Sequence, residues 1–368
     1  MKKINNYRKL YTKIIFIVFS TLLLFISSSC KERQTPEMIE EYGEKGKIAF
    51  LWYPEDKDGV GKLILMDGKG NKARYIGLFS GSLAFSPDGK QIAIGCPVSN
   101  QYGLMNYNKT EICLIDIDKF ISFTENRLME PYENKSSLIT RIPLPEQCQE
   151  YQEWKGELYV GINSIDWSPN SDKLLLVCGD RQNSEVCSIN LDGDSYCWND
   201  KLKQDVFRAV WSPIDENIVL VSSWNYSPTE IYLATAEGEI IQNLKPGWNA
   251  EWSPDGEKIA YIAYMEDPET QSHYYGIAVI NRDGTDHQYY YLPELGKKKS
   301  YLFLDGFDTG VPTRLAWSPD GQYIAISGTN SSLYNYGIFR LDVNSGEVYR
   351  LVDSDIFGGI LYEPDWGP

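Results

Sequence analysis

The amino-acid sequence predicts an all-β fold: a six-bladed β-propeller of four-stranded antiparallel blades, closed by a C-terminal strand that joins the N-terminal blade. Three observations predict it. A strand–turn–strand pattern occurs five times, each copy continues into two further strands, and the chain ends carry complementary parts of a sixth copy. Repetition at about 40 residues is typical of propeller blades. We therefore expect one propeller domain, residues 47–368, although the chain length alone favours two domains.

Residues 1–29 are predicted to be a lipoprotein signal peptide. Residues 1–13 contain five basic residues and no acidic one, and residues 14–26 (IIFIVFSTLLLFI) form an apolar run. A basic segment, a short apolar run and small residues are typical of a secretory signal. The apolar run is too short for a good membrane anchor, because a spanning helix needs about 20 residues.

The three serines that end at Cys30 resemble the lipobox of bacterial lipoproteins, whose cysteine is diacylated and becomes the new N-terminus. Ser27 stands where the family usually has Leu, and Ile26 lies one step earlier. Lipidation of Cys30 would leave an even six of the seven cysteines for disulfides. The alternative is ordinary cleavage that leaves Cys30 as a free thiol. Because two acyl chains anchor a protein stably, we expect a lipid anchor and a polar tether over residues 30–46.

Five segments share one motif: a strand ending in an aromatic residue, then Ser-Pro, a tight turn and an apolar strand. In the turn, Pro sets φ at the first central position, Asp suits the second, and Gly adopts the left-handed conformation. Ser171 and Asp215 replace that Gly in two copies, which predicts looser or strained turns. Asp-Gly turns further along predict the third and fourth strands. The segments begin at Leu83, Ile165, Ala209, Ala250 and Leu315.

The chain ends supply the sixth blade. Residues 47–52 and 63–71 match the second to fourth strands of a blade without a first strand, and residues 362–368 match a first strand and its turn. Joining them closes a ring, which hides the sheet edges that would otherwise pair with other chains. Five complete repeats and one shared blade give six.

The Trp-Ser-Pro-Asp-Gly motif resembles the WD40-like (PD40) repeats of TolB-type six-bladed propellers, and the resemblance covers residues 47–368. It implies the propeller fold and a bias towards protein binding at the cell envelope. TolB itself has an additional α/β domain before its propeller, where this sequence has the polar tether, so we expect a relative and not TolB. Function does not follow from the fold, because propellers serve many functions.

The six remaining cysteines are expected to form three disulfides. Aligning blades two and three places one cysteine of each blade at the same position of the second strand, and another at the same position of the third. Adjacent antiparallel strands can bring such positions within disulfide range. Six cysteines allow 15 pairings, and the alternative is that some are buried free thiols. The predicted pairs are Cys96–Cys113, Cys178–Cys187 and, by elimination, Cys148–Cys197.

Insertions collect largely in the loops after second and fourth strands, at residues 97–109, 145–161, 265–275 and 293–312. These loops are rich in Tyr and Trp, which dominate contact energies at interfaces. They predict a recognition face for a protein or a glycan. The alternative is that the aromatic residues pack between blades. The candidate residues of this loop face are Tyr102, Tyr107, Trp154, Trp224, Tyr274, Tyr275, Tyr301 and Tyr334.

The composition excludes several function classes. With 35 basic and 51 acidic residues the net charge is −16, which argues against a nucleic-acid partner. The two histidines, His273 and His287, are too few for a His-based metal site or a Ser–His–Asp triad. No nucleophile elbow, zinc-protease motif or phosphate-binding loop occurs. We therefore predict no catalytic residue, metal or cofactor.

The predicted function is a lipid-anchored, extracytoplasmic binding or scaffold protein that recognises another envelope protein through the loop face. It would lie at the cell membrane or outer membrane, facing the periplasm or the exterior, and contact the membrane only through its lipid. The alternative is a glycan- or peptide-binding lipoprotein that feeds a transporter or hydrolase. An enzyme is the third class, disfavoured by the missing catalytic motifs.

Overall fold

A computed structural model of the chain describes most of the propeller. The described residues all belong to the compact unit Met38–Pro368. No helix among them is long and apolar enough to cross a membrane. The predicted signal peptide, Cys30 and nearly all of the tether lie outside these residues and stay predictions. The described ranges are 46–54, 61–71, 73–79, 81–99, 105–120, 138–149, 152–154, 157–159, 162–179, 184–198, 206–216, 218–223, 230–266, 273–290, 314–330, 335–353 and 359–368.

Six four-stranded antiparallel sheets form the blades, which confirms the predicted fold class. In blade 1 the last strand of the chain pairs with the first, with Lys47 opposite Gly367 and Pro54 opposite Gly359. The C-terminal strand therefore closes the ring as predicted. Blade 1 comprises β26 (Gly359–Gly367), β1 (Lys47–Pro54), β2 (Gly61–Asp67) and β3 (Arg74–Phe79), and blade 2 comprises β4 (Leu83–Phe85), β5 (Gln91–Ser99), β6 (Met105–Asp116) and β7 (Ile139–Ile142).

The other four blades follow in chain order. Between blades 2 and 3 lie a 3₁₀ helix, Glu146–Cys148, and a hairpin of β8 (Gln152–Trp154) and β9 (Glu157–Tyr159). Blade 3 comprises β10 (Ile162–Trp167), β11 (Lys173–Gly179), β12 (Ser184–Asn190) and β13 (Ser195–Cys197), and blade 4 comprises β14 (Val206–Trp211), β15 (Ile218–Ser223), β16 (Glu230–Thr235) and β17 (Ile240–Pro246). Blade 5 comprises β18 (Trp248–Trp252), β19 (Lys258–Glu266), β20 (His273–Asn281) and β21 (Gln288–Tyr290). Blade 6 comprises β22 (Leu315–Trp317), β23 (Tyr323–Asn330), β24 (Asn335–Asp342) and β25 (Val348–Asp353).

The hydrophobic core is divided into six clusters, and each cluster lies between two neighbouring blades. The inner strands are covered on both faces, and β11 is buried at five consecutive positions, Leu174 to Cys178. A strand buried on both faces reads as a continuous apolar run because no face meets water. This is why the second strand of each repeat is almost wholly apolar.

The repeated turn is held by its serine and aspartate. In blade 5 the hydroxyl of Ser253 donates to the Asp255 carboxylate at 2.6 Å and accepts the Lys258 backbone N–H at 2.9 Å. The turn glycines of three copies have φ near +68°, the left-handed region that favours glycine. Ser171 is forced into the same region, at φ +58°, so its turn is strained as predicted. Asp215 is not among the described residues with positive φ, so its turn has another conformation.

Three disulfides are present, and two of the predicted pairings are wrong. Cys96–Cys113 forms as predicted between β5 and β6. Cys178–Cys187 and Cys148–Cys197 do not form, and the partners are exchanged. The observed pairs in and beside blade 3 are Cys148–Cys178 and Cys187–Cys197.

Competing cysteines explain the exchange. Cys187 lies directly opposite Cys197 in the β12–β13 pair, with Cα atoms 4.0 Å apart. Cys178 lies opposite Glu185, the same offset that Cys96 has opposite Glu111 in blade 2, so register alone does not prevent the predicted pair. With Cys187 bonded to Cys197, Cys178 pairs with Cys148 of the 3₁₀ helix. Alignment of the second and third strands could not reveal this, because the competing cysteines come from the fourth strand and from an insertion.

Candidate binding site in the central channel

The first strands of the six blades line the centre of the propeller. Each contacts the first strand of the next blade, and the ring closes between β26 and β4. Five first strands end in a buried aromatic residue, and β26 has one just before its last residue, because the motif repeats once per blade. The six aromatic residues are Phe85, Trp167, Trp211, Trp252, Trp317 and Trp366.

A cavity of about 400 Å³ opens between these aromatic residues and the prolines two positions after them. Asp166, Glu251, Arg314 and Asp365 also line it. We call this cavity the central funnel. Its volume and its mixture of apolar walls with a few polar groups are typical of a ligand site. The prolines of the wall are Pro87, Pro169, Pro213, Pro254, Pro319 and Pro368.

The polar side chains of the channel occupy two positions of the first strands. The residue just before the aromatic residue is acidic in three blades, and the residue three positions before it is polar or charged in all six. Charged residues are rarely buried without partners, so their recurrence at two levels of the channel indicates a network. The first set is Asp166, Glu251 and Asp365, and the second set is Ser82, Ser164, Arg208, Asn249, Arg314 and Glu363.

Irregular backbone directs several of these side chains. The register of the first strand shifts beside Ser164, Arg208 and Glu251. A β-bulge bends a strand and redirects a side chain, and bulges occur often beside functional sites. Asn249 and Glu363 both have φ of +51°, a conformation that costs a residue other than glycine about 1–3 kcal/mol.

Ion pairs connect the channel side chains of different blades. Arg208 of blade 4 pairs with Glu251 of blade 5. Arg314 of blade 6 lies 3.2 Å from Asp365 of blade 1 and 4.0 Å from Glu251, measured between its Nη2 and the carboxylate oxygens. Arg314 also donates a hydrogen bond to the carbonyl of Leu83 in blade 2. Four blades therefore meet around one guanidinium group.

Carboxylates of the channel also accept backbone hydrogen bonds from the next blade. The Trp211 N–H donates to Asp166 at 2.7 Å, and the Phe85 N–H donates to Asp365 at 2.6 Å. The Glu363 carboxylate accepts the hydroxyl of Ser82 at 3.3 Å. These contacts link neighbouring first strands around the channel.

Burial and crowding shift the protonation of this network. Burial raises the pKa of Asp166 to about 7, and the negative charge of Glu251 adds to the effect. Burial also raises the pKa of Glu363, against the attraction of Arg314. Burial disfavours the charge of Arg314, but the carboxylates, Asp365 first, outweigh it and raise the pKa of that guanidinium. Four carboxyl groups face two guanidinium groups, so the ionised network carries excess negative charge.

Two indole groups of the funnel wall lack an internal partner. Trp167 Nε1 donates to the Ala84 carbonyl at 3.1 Å, and Trp211 Nε1 donates to the Glu216 carbonyl at 2.9 Å. Within the described part of the chain, the buried Nε1 groups of Trp252 and Trp317 have no hydrogen-bond partner. A buried donor without a partner costs about 1–3 kcal/mol, and because both nitrogen atoms are shielded from solvent, they are not donors that a ligand in the funnel reaches.

The predicted loop face falls largely outside the described residues. Tyr107, Trp154, Tyr274 and Tyr275 lie in β6, β8 and β20, and their side chains are not described. The structure brings Tyr275 opposite Tyr264 across the β19–β20 pair. The recognition role of the loop face therefore stays a prediction. Tyr102, Trp224, Tyr301 and Tyr334 lie outside the described residues.

Sequence reasoning missed the central funnel. The funnel opens among the turns after the first strands, on the face opposite the predicted loop face. A signal was present in the repeat: Asp166, Glu251 and Asp365 occupy one position just before the aromatic residue, and Arg208 and Arg314 share another. Charges at equivalent positions of otherwise apolar strands must meet at the axis of a closed ring.

The fold defines a WD40-like six-bladed propeller, and comparisons with known proteins agree with that class. Residues 298–336 match the sequence profile of the family described as WD domain, G-beta repeat. A segment of 105 residues is 27% identical to the Tol-Pal system protein TolB of Alcanivorax borkumensis. That segment covers 27% of this chain and only 20% of the curated TolB.

Solved structures extend the likeness to the whole propeller. The crystal structure of TolB from Acinetobacter baumannii superposes with a TM-score of 0.60 at 16% identity, covering 88% of this chain and 67% of that one. A chain of the nidogen/laminin complex superposes with a TM-score of 0.51 at 11% identity, covering 88% of this chain and 99% of that one. At these identities the likeness shows the fold alone: this chain is a TolB-like, WD40-like six-bladed propeller.

Proposed function

We propose that this protein is a lipid-anchored, extracytoplasmic binding protein that holds a segment of another envelope protein in its central funnel. The observation that carries the proposal is the funnel itself, in which six equivalent aromatic residues and six prolines surround a cavity of about 400 Å³ with carboxylates on its floor. The resemblance to TolB-type propellers, one of which is named as a Tol-Pal system protein, supports a role in binding proteins at the envelope. Cys30 would supply the anchor.

The charge of the funnel favours a basic side chain as the inserted group. Asp166, Glu251 and Asp365 line the cavity together with a single guanidinium group, that of Arg314. An inserted cation would compensate the excess negative charge and lower the pKa of Asp166 towards its ordinary value. The aromatic wall suits the aliphatic stem of Lys or Arg and can form cation–π contacts with its head.

The aromatic wall favours a basic side chain of a peptide over an isolated cation. Phe85 and the five tryptophans line the cavity, and they can cover the aliphatic stem that a Lys or Arg side chain carries and a simple cation lacks. A peptide segment that presents one basic side chain fits both the wall and the charge of the funnel. Binding is favoured over catalysis because Glu251 and Asp365 are already engaged by guanidinium groups.

Titration with matched peptides tests the proposal. The probes are acetyl-Gly-Gly-Arg-Gly-Gly-amide and its citrulline counterpart, which has the same shape without the charge. At pH 7.5 and low salt we expect the arginine peptide to bind at least about tenfold more tightly, a difference of about 1.4 kcal/mol. Calorimetry measures the affinities, and thermal unfolding measures the stabilisation by the bound peptide.

Two variants locate the binding. Asp166→Asn removes a carboxylate of the funnel lining and keeps an acceptor for the Trp211 N–H, so it should weaken the arginine peptide with little loss of stability. Asp342→Asn removes a carboxylate that does not line the cavity, so it should leave the affinity nearly unchanged. Equal affinities for the two peptides, or binding unaffected by Asp166→Asn, would overturn the proposal. Stabilisation by neutral oligosaccharides alone would support the glycan-binding alternative instead.

A further inference from the structure

Four cysteines meet at one place beside blade 3. Cys148 lies on the 3₁₀ helix, and Cys178, Cys187 and Cys197 lie on β11, β12 and β13. They form two disulfides in the structure, Cys148–Cys178 and Cys187–Cys197. All four side chains are buried, with at most 5% of any residue exposed. We call this group the four-cysteine cluster.

The two disulfides lie against each other. The Sγ atoms of Cys148 and Cys187, which are not bonded together, are 3.8 Å apart. The sulfurs of Cys148, Cys178 and Cys187 all lie within 4.8 Å of one another. Cys197 is joined to Cys187 and faces it directly across the β12–β13 pair. Three sulfur atoms therefore lie close together, and the fourth is bonded to one of them.

Reduction would let the bonded sulfur atoms separate towards the spacing of a tetrahedral thiolate site, which Cys148 and Cys187 already have at 3.8 Å. Zinc binds thiolate sulfur at about 2.3 Å with tetrahedral geometry, which places the sulfur atoms about 3.8 Å from one another. Three of the four ligands would come from neighbouring strands of one sheet, and the fourth from the short helix packed on that sheet. Rigid elements of this kind hold ligands in position, and the buried surroundings exclude water.

The neighbouring blade provides a contrast. Cys96 and Cys113 occupy the same strand positions in blade 2 and form a single disulfide. The guanidinium Nη1 of Arg141 lies 3.6 Å from Cys96 Sγ and is paired with Glu111 at 3.0 Å. Blade 2 thus has the strand positions of a thiolate site without the number of ligands.

We propose that the four-cysteine cluster, when reduced, binds one thiophilic metal ion such as Zn²⁺ through four thiolates. Reduction by a dithiol or a phosphine breaks both S–S bonds and delivers four electrons and four protons, which gives four thiols. The reductant is oxidised to two disulfides or two phosphine oxides, with the oxygen of the latter taken from water. Metal binding then releases the four thiol protons, and reoxidation by a disulfide oxidant restores the two disulfides and expels the ion.

Cobalt spectroscopy on the full chain tests this proposal. All proteins carry Cys30→Ser, and each is reduced anaerobically with a phosphine that is then removed. We expect Co²⁺ to bind one to one, with the ligand-field and sulfur-to-metal charge-transfer bands of a tetrahedral four-thiolate site, and Zn²⁺ to abolish them. The matched control Cys96→Ser/Cys113→Ser should keep the full spectrum. Cys187→Ser should lose the four-thiolate bands and weaken Co²⁺ binding at least about tenfold.

A second measurement keeps the outcome decisive if a variant misfolds. Native mass spectrometry of the reduced protein with an intact cluster, with and without Zn²⁺, should show one bound ion, and chelation should remove it. Absence of a tightly bound ion in the reduced protein would overturn the proposal. Retention of the four-thiolate spectrum in Cys187→Ser, or its loss in the blade 2 control, would also overturn it.

Discussion

At the scale of single residues, burying the charged side chains of the channel costs free energy of folding, and that cost indicates that they have a role besides stability. Replacing a buried ion-pair network by apolar residues of similar volume is often neutral or stabilising. Arg314 is 2% exposed and Arg208 is 3% exposed, yet each is held by carboxylates from other blades. Apolar first strands would close the ring more simply, so the network favours a role in binding over one in stability alone.

Asp166 makes a prediction about pH. Its carboxyl has a pKa of about 7 in the folded protein and about 3.9 when unfolded. The folded state therefore holds the proton more tightly, so the stability from Asp166 is full below about pH 4 and is lost as the pH rises towards 7. Asp166→Asn removes this loss and can still accept the Trp211 N–H. We expect the variant to be more stable than wild type at pH 8, by roughly 2–4 kcal/mol, and no more stable at pH 4.

Denaturant unfolding between pH 4 and pH 8 measures this effect, and Asp342→Asn serves as the control. The N–H groups of Ser345 and Asn344 lower the pKa of the Asp342 carboxyl, so its stabilisation is full above about pH 5 and is lost only as the pH falls below about 4. Between pH 5 and pH 8, Asp342→Asn should therefore change stability by a constant amount, whereas Asp166→Asn should gain stability over wild type as the pH rises. Parallel profiles for Asp166→Asn and wild type over this range would contradict the assignment of the buried proton to Asp166.

At the scale of elements, one copy of the repeated turn has a strained residue, Ser171, at the position of glycine. Ser171 adopts φ +58° where three equivalent turns have glycine. The left-handed conformation costs an L-residue about 1–2 kcal/mol. Glycine removes that cost, but it also makes the unfolded chain more flexible, which lowers the free energy of unfolding by about 0.4–1 kcal/mol. We therefore expect Ser171→Gly to raise the free energy of unfolding by about 0.5–1 kcal/mol, as measured by urea denaturation.

Gly321→Ala is the matched reverse change. A Cβ atom at Gly321 would meet only Pro254 Cδ, at 3.9 Å, so the substitution reports the backbone cost without a clash. It should lower stability by about the amount that Ser171→Gly adds. At Gly256 a Cβ would lie 2.7 Å from Ile214 Cγ1, so Gly256→Ala should cost more. A neutral or destabilising Ser171→Gly would show that the hydroxyl has a role in its turn.

The disulfides show which elements sequence reasoning could resolve. The Cys96–Cys113 pair was predictable because both partners lie in adjacent strands of one repeat and blade 2 has no other cysteine to compete for them. The other two pairs were not, because Cys187 meets Cys197 through the register of the fourth strand. Cys148 reaches Cys178 from an inserted helix. Neither the register of a short edge strand nor the course of an insertion is contained in the repeat pattern.

At the scale of the whole molecule, stability comes from six apolar clusters that each need two blades. No blade can bury both of its faces alone, so closure by β26 matters to every cluster around the ring. The same closure brings Glu363 and Asp365 of that strand into the channel and completes the funnel. The strand that closes the ring therefore also completes the proposed binding site.

The proposed anchor is also a property of the whole molecule. If Cys30 is lipidated, the wild-type chain should fractionate with membranes and partition into the detergent phase, because two acyl chains anchor a protein stably. Cys30→Ala should move most of the protein into the soluble or uncleaved precursor fraction, while Cys96→Ala/Cys113→Ala should stay membrane-bound. Equal partitioning of wild type and Cys30→Ala would contradict lipidation.

The sequence by itself determined the all-β class, the blade count, the ring closure and the strained turn at Ser171. These features depend on local turn chemistry and on a repeated apolar pattern, both of which are written along the chain. Only the tertiary structure decided the funnel, the ion-pair network around Arg314 and the four-cysteine cluster. The physical reason is that these sites join side chains from different blades or from an insertion, so their chemistry depends on register and closure, which no single repeat encodes.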